Sequence, residues 1–242
     1  MMQETFLLRF FWGPRREGVE EVAARLLLYL EQLTAFDTVY SHWYPRSGRG
    51  SDQSKSAPLL LETGAIEELC RREIQREEVA PFKPIAPLGF TVNLATGGLW
   101  DLTLRINCGG YSHYVLNSIT MPLPATGSAG KRLCRAESLI GHCRLIIACW
   151  DPEVGQVWSG RLDDELGNPD QEIDVGWMTY VANRRLVLPE FDRAIEVIPI
   201  GEAGQLIVAT RQRFSTANGN HLRRAKLIAS KLNGGGVERS NR

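Results

Sequence analysis

The stretch that most constrains this chain runs from Leu133 to Ser159, LCRAESLIGHCRLIIACWDPEVGQVWS. Apolar side chains recur at Leu139, Cys143, Ile146, Ile147 and Trp150, the spacing of a helix that buries one face. Glu137 suits the first turn, where a carboxylate meets the positive end of the helix dipole. Asp151-Pro152 sets the end, because a residue before proline is pushed out of helical geometry. Gln156 to Ser159 then has the character of a short half-buried strand. The stretch therefore predicts a helix that docks on a sheet and feeds straight back into it. Trp150 and Trp158 flank the turn and together have the area to anchor a core. Nothing in the stretch is a nucleophile–base pair, a metal cage or a phosphate cradle.

The flanking pattern gives the fold class. Thr5 to Trp12 is aromatic and branched, a buried strand. Glu17 to Phe36 is a helix with Val19, Val22, Ala23, Leu26, Leu27, Leu30 and Leu33 on one face and Glu17, Glu20 and Glu21 at its start. Val39 to Tyr44 is a second strand, and Arg46 to Ser56 a Gly/Ser/charged loop. Gly64 to Val79 is a charged helix with a narrow apolar side of Ile66, Leu69, Cys70 and Ile74. Pro81, Pro84 and Pro87 make an extended connector. Gly89 to Leu94 and Leu99 to Asn107 are strands joined by a Gly97-Gly98 turn. Cys108 to Tyr111 turns the chain into a strand from His113 to Met121, and Ala125 to Gly130 is a polar loop. Beyond Trp158, an irregular segment from Gly160 to Asp174 precedes strands at Val175 to Val181, Leu186 to Leu188, Ala194 to Ile200 and Leu206 to Thr210. His221 to Leu232 closes the chain as a helix. Strands in consecutive runs favour α+β, with a mixed, largely antiparallel sheet and helices packed on it. Residues 1–232 are expected to form one domain and 233–242 a flexible tail. Two similar halves, about 1–125 and 126–232, are the alternative, although no sequence repeat supports them.

Charge and cysteine usage narrow the function. Twenty-eight basic residues balance twenty-eight acidic ones, so no overall field points to nucleic acid or an anionic membrane. No apolar run is long enough to span a bilayer. The amino terminus, with Glu4 before its apolar run and Arg9 inside it, lacks a secretory pattern. Five cysteines are an odd number, which suits reduced thiols in a cytoplasm.

The candidates for chemistry are few. Cys134, His142, Cys143 and Cys149 invite a metal reading, but no paired Cys-x-x-Cys spacing is present, so core cysteines and a solvent-facing His142 are expected. Cys108 with His113 is the one thiol–base candidate, and no signature surrounds it. Ala95 to Gly98 and Cys108 to Gly110 are not followed by a helix start, as a phosphate cradle requires. Arg211, Arg213, Arg223, Arg224, Lys226 and Lys231 form a basic run, read as a solvated helix. The acidic residues Asp163, Asp164, Glu165, Asp170, Glu172 and Asp174 have no lysine or arginine between Leu162 and Asp174. They lack the alternating ligands of a calcium loop. Their two readings are a solvated loop and a surface complementary to a basic partner.

Several pieces together resemble a known family. They are Phe11-Trp12-Gly13-Pro14-Arg15, Trp43-Tyr44, Leu99-Trp100, Cys108-Gly109-Gly110-Tyr111-Ser112, Asn117, Leu123-Pro124 and Trp150-Asp151-Pro152 with the strand through Trp158. In this order they look like the immunity protein 52 family of bacterial polymorphic toxin systems, over roughly Thr5 to Leu232. The resemblance implies a cytoplasmic antidote to a DNase toxin with a restriction-endonuclease-like domain of the fifth type, commonly delivered by a type VI secretion system. It implies protection by binding, with no catalytic residue, metal or cofactor to carry over, and tryptophan, glycine and proline in framework roles. A nuclease carries a basic groove for its substrate backbone, so Asp163, Asp164, Glu165, Asp170, Glu172 and Asp174 are the candidate toxin-binding residues. An effector-loading adaptor and a thiol enzyme built on Cys108 or His113 are the alternatives.

Overall fold

β1, Leu7–Trp12, alternates half-buried and buried side chains along its length, the period-two pattern of a strand with one face on a core. The computed structural model describes residues 4–46, 57–97, 101–167 and 172–234. The chain divides into two units. One comprises residues 11–122 and 148–150, the other residues up to 10, 123–147 and 151 onward.

In the first unit, α1 (Val19–Phe36) buries Val22, Ala23, Leu26, Tyr29, Leu30 and Leu33. The Glu21 carboxylate accepts a hydrogen bond from the Gly18 N–H at 2.7 Å and so closes the helix start. α2 (Thr63–Arg72) adds Ile66, Leu69 and Cys70. β2 (Tyr44–Pro45), β3 (Phe90–Ala95), β4 (Thr103–Cys108) and β5 (Asn117–Pro122) pair in that order, every pair antiparallel. The core is aromatic at its centre. Trp150 stacks on Trp12 at 5.8 Å between ring centroids and meets the edge of Tyr29 at 6.1 Å. The Arg25 guanidinium lies 5.9 Å from the Trp150 ring centroid and donates to the Cys149 carbonyl at 3.0 Å.

In the second unit, β6 (Val154–Trp158), β7 (Met178–Ala182), β9 (Gly204–Val208) and β8 (Glu196–Ile200) pair antiparallel in the spatial order β6-β7-β9-β8. β7 is buried along its whole length, as an interior strand covered on both faces must be. Gly155 in β6 faces the Phe10 ring, and a Cβ there would come within 2.0 Å of it, so only glycine fits. Its helices are α3 (Gly127–Leu133), α5 (Gly160–Leu166), α6 (Gly219–Asn233) and residues 136–147 of α4 (Ala136–Trp150), whose last three residues belong to the first unit. α4 ends where the sequence places it. Asp151 takes the left-handed conformation and its N–H bonds the Ile147 carbonyl at 3.0 Å. Arg184 braces that turn, donating to the Asp151 carboxylate and carbonyl at 2.8 Å each. Glu4, buried, accepts from the Ser159 hydroxyl at 2.7 Å and from the Thr216 N–H at 3.0 Å. A buried carboxylate held this way ties the chain start to two distant loops.

The α+β class and the antiparallel pairing agree with the sequence pattern, and several local expectations do not. Of Val39 to Tyr44 only Tyr44 enters a strand, at the start of β2, and a 3-10 turn occupies Thr38–Tyr40. The Asp37 carboxylate takes the Val39 N–H at 2.9 Å and offers the backbone an alternative to a ladder. The charged helix stops at Arg72, well short of Val79. Beyond it Ile74 bridges Phe90, and Gln75 and Glu77 exchange backbone bonds with Ile85, Gly89 and Lys83, so tertiary pairing overrides helix propensity. His113 to Leu116 is an exposed turn, and β5 begins only at Asn117. Leu186 to Leu188 forms no strand, because the Arg185 and Leu186 N–H groups turn back onto the Ala182 carbonyl. Ala125 to Gly130 contains the start of α3, and the segment from Gly160 contains α5. Gly98, Leu99, Trp100, the loop at 47–56 and the tail from 235 lie outside the described residues.

Candidate functional site

The family-like motifs converge on one buried side chain. Asn117 is 2% exposed. Its amide donates to the Gly13 carbonyl at 2.7 Å and the Gly110 carbonyl at 2.9 Å, and its carbonyl accepts from the Gly110 N–H at 2.9 Å. The Arg15 N–H also reaches the Gly110 carbonyl at 2.8 Å. Gly109 sits at φ +68°, and a Cβ there would press within 2.8 Å of the Phe90 ring, so the turn demands glycine. Trp-Gly-Pro-Arg, Cys-Gly-Gly-Tyr and Asn117 are thus one structural clamp, built from amide geometry.

The acidic residues divide into two groups. Asp163, Asp164 and Glu165 ride on α5 and are exposed, with Leu162 buried beneath them. Gly167 caps the helix in the left-handed conformation. The apolar pair Leu162 and Leu166, four apart and followed by Gly167, was the sequence signal for this helix. Glu165 faces Lys226 of α6 at 3.9 Å. Glu172 pairs with Arg185 at 3.0 Å and Asp174 with Arg9 at 3.1 Å. The Ile173 backbone between them is pinned at both its N–H and carbonyl by the Asn233 amide, 3.0 Å each. Asp170 lies outside the described residues. Asp163 and Asp164 have no cationic partner among the described residues. Exposed ion pairs contribute only about 0–1 kcal/mol, so the paired acids can exchange partners at small cost, while these two offer their charge outright.

The thiol candidates are placed differently from a catalytic pair. All five cysteines are free and buried. Burial pushes the Cys108 thiol well above its ordinary range, with Cys70 adding to the effect. Burial also pushes Cys70 and Cys143 up to about 12. His113 is exposed on its turn. A thiol so displaced holds almost no thiolate at neutral pH. Native protein is therefore expected to resist iodoacetamide near neutral pH and to label fully once denatured. Fast labelling of a thiol in the native protein would contradict this placement.

His142 corrects the sequence reading. It is fully buried rather than solvent-facing, with Nδ1 2.8 Å from the Ser138 carbonyl one turn back on α4. Among the described residues no group of three His, Cys, Asp or Glu side chains is placed to hold a metal ion. No helix among them is long and apolar enough to cross a membrane. The basic run is also less uniform than a solvated helix. Arg211 and Arg213 precede α6, and Arg213 and Arg224 donate to the Ala125 and Ala209 carbonyls at 3.2 Å.

Sequence reasoning missed one surface, on the other unit. Tyr114, Val115 and Leu116 stand out between β4 and β5, with Tyr114 98% and Leu116 59% exposed. The Tyr111 and Ser112 N–H groups anchor the base of this loop on the Pro87 carbonyl at 3.0 Å.

A protein-family model described as Immunity protein 52 matches residues 4–241. No curated protein matches the sequence. Among solved structures, the chain is similar to the Pseudomonas aeruginosa T6SS protein PA0821, with a TM-score of 0.54 at 11% identity over 97% of this chain and 77% of that one. At that identity the likeness is one of fold.

Proposed function

Because this chain belongs to the immunity protein 52 family, we propose that it is an antidote that binds the toxic nuclease domain of a cognate effector and silences it by occupancy. The family match across essentially the whole chain carries this reading. The fold shared with a T6SS protein supports delivery of that effector by a type VI system. The antidote acts in the cytoplasm, where a nuclease meets its substrate. It acts without catalysis of its own, a view supported by thiols held in their unreactive form. Residues 1–232 serve as one binding unit.

The docking face in this reading is α5 with its flanking acids. Asp163 and Asp164 lead, because a basic nuclease groove gains two unpaired carboxylates from them. Glu165, Glu172, Asp174 and Asp170 complete the set. Replacing Asp163 and Asp164 together by lysine is expected to weaken toxin binding about tenfold or more, chiefly by slowing association. The melting temperature should stay unchanged, since both side chains are exposed. Unaltered affinity by calorimetry would remove α5 from the interface. A second docking face, Tyr114 to Leu116, is favoured by one observation, the full exposure of an aromatic tip on an anchored loop. Tyr114→Asp would then be the damaging change, with Asp163 and Asp164 tolerant of lysine.

A further inference from the structure

A cleft of about 420 Å³ opens between β8, the end of β9 and the start of α6. Arg193, Arg211, Arg224, Glu196, Asn218 and Asn220 are among its lining residues. The cleft already shows how it treats a carboxylate. Arg211 grips Glu196 through Nε at 2.6 Å and through a second N–H to the other oxygen. That grip lowers the Glu196 pKa, the hydrogen bond from Arg211 being the leading cause. Fork-to-fork pairing of this kind is the geometry guanidinium groups offer to carboxylates. Glu196 therefore uses up the charge of Arg211.

Arg193 and Arg224 remain. Arg224 commits one N–H to the Ala209 carbonyl, at 3.2 Å, and keeps its charge. Arg193 is exposed and has no carboxylate partner among the described residues. His221, buried beneath the wall, adds no charge at neutral pH. Burial first, and Arg224 second, hold its pKa below the ordinary value, against a smaller opposing effect of Glu4. Asn218 and Asn220 supply amide groups on the same wall. Among the described residues no Phe, Tyr or Trp side chain lines the cleft and the His221 ring is buried, so it lacks the exposed stacking platform on which nucleic-acid bases bind.

We propose that this cleft is a docking site for an acidic peptide segment of a protein partner, with a carboxylate of the partner seated between Arg193 and Arg224 beside the carboxylate that Arg211 already holds. The site is separate from α5 and does not depend on the partner being a nuclease toxin. It would let one unit of the chain present an acidic helix and a carboxylate receptor to partners of opposite character.

The test uses the full chain and a fluorescent hexaglutamate peptide, followed by polarisation at low ionic strength, about 0.02 M, where screening is weak. Hexalysine and pyrophosphate serve as the comparison probes. Hexaglutamate should bind saturably, and Arg193→Glu should weaken it at least tenfold. Arg193→Lys should retain part of the binding, because it keeps the charge and loses the fork. Arg193→Glu should melt like the parent, since the residue is exposed and bonds nothing that holds the fold. Three results would overturn the proposal: no saturable hexaglutamate binding, equal binding by parent and Arg193→Glu, or binding of pyrophosphate alone, which would make the ligand a phosphate. Failure of a toxin domain to bind the chain would count against the antidote reading and leave the peptide result standing.

Discussion

Replacing Trp150 by alanine is expected to lower the unfolding free energy by about 3–5 kcal/mol. The side chain is fully buried, stacked on Trp12 and edged by Tyr29. Its loss leaves a ring-sized void and strands two aromatic neighbours and the Arg25 guanidinium beside it. A domain has about 5–15 kcal/mol of stability in total, so the variant should sit near the edge of folding at physiological temperature. Trp150→Phe should cost much less, because it keeps most of the stack and the indole N–H bonds nothing among the described residues. Chemical denaturation of the three proteins checks the order. Equal stability of Trp150→Ala and the parent would mean that this aromatic cluster does not hold the core together.

Asn117→Ala is expected to cost about 2–4 kcal/mol, close behind. Three hydrogen bonds to backbone are lost, each worth roughly 1 kcal/mol net, and buried backbone groups of Gly13 and Gly110 are left without that partner. The melting temperature should fall by about 5–15 °C. Asn117→Asp is a sharper probe. It keeps size and one acceptor but cannot donate to the two carbonyls, so it should be at least as damaging as alanine. A neutral Asn117→Asp would show that the clamp is packing and not hydrogen bonding. Neither change touches an exposed surface. Variants rescued by lower temperature should therefore still bind their partner.

The parts of the fold written in periodic apolar patterns were legible in the sequence. α1 and α4 appear within a few residues of their expected ends, because each repeats its apolar face over several turns, and α4 also meets the stop signal Asp151-Pro152. The run of antiparallel strands followed from the spacing of branched residues and glycine turns. What stayed hidden depended on partners distant in sequence. The residues after Arg72 look helical and are drawn instead into backbone pairing with Phe90 and the 83–89 segment. His142 has the polarity of a surface residue, yet it satisfies itself on the Ser138 carbonyl and is buried.

The candidate interface was legible only as a composition. The acidic residues could be counted, but not which of them are already paired. Lys226, Arg185 and Arg9 come from three remote parts of the chain to meet Glu165, Glu172 and Asp174, and no local rule foretells that. The same limit hid Tyr114, because a strand pattern and an exposed turn share the same apolar residues. The motif glycines and Asn117, by contrast, signalled framework, and the clamp they build shows why a chain would need those residue types at those places.

The central claim is neutralisation by binding, and a cleavage assay tests it most directly. A candidate cognate toxin domain would be incubated with DNA and increasing amounts of the purified protein, and the mixture passed over a sizing column. Cleavage should fall in proportion to added protein and cease at an equimolar amount, with the two chains eluting together. Cleavage that continues undiminished while the chains co-elute would contradict the claim and make the protein a carrier of the effector instead of its antidote.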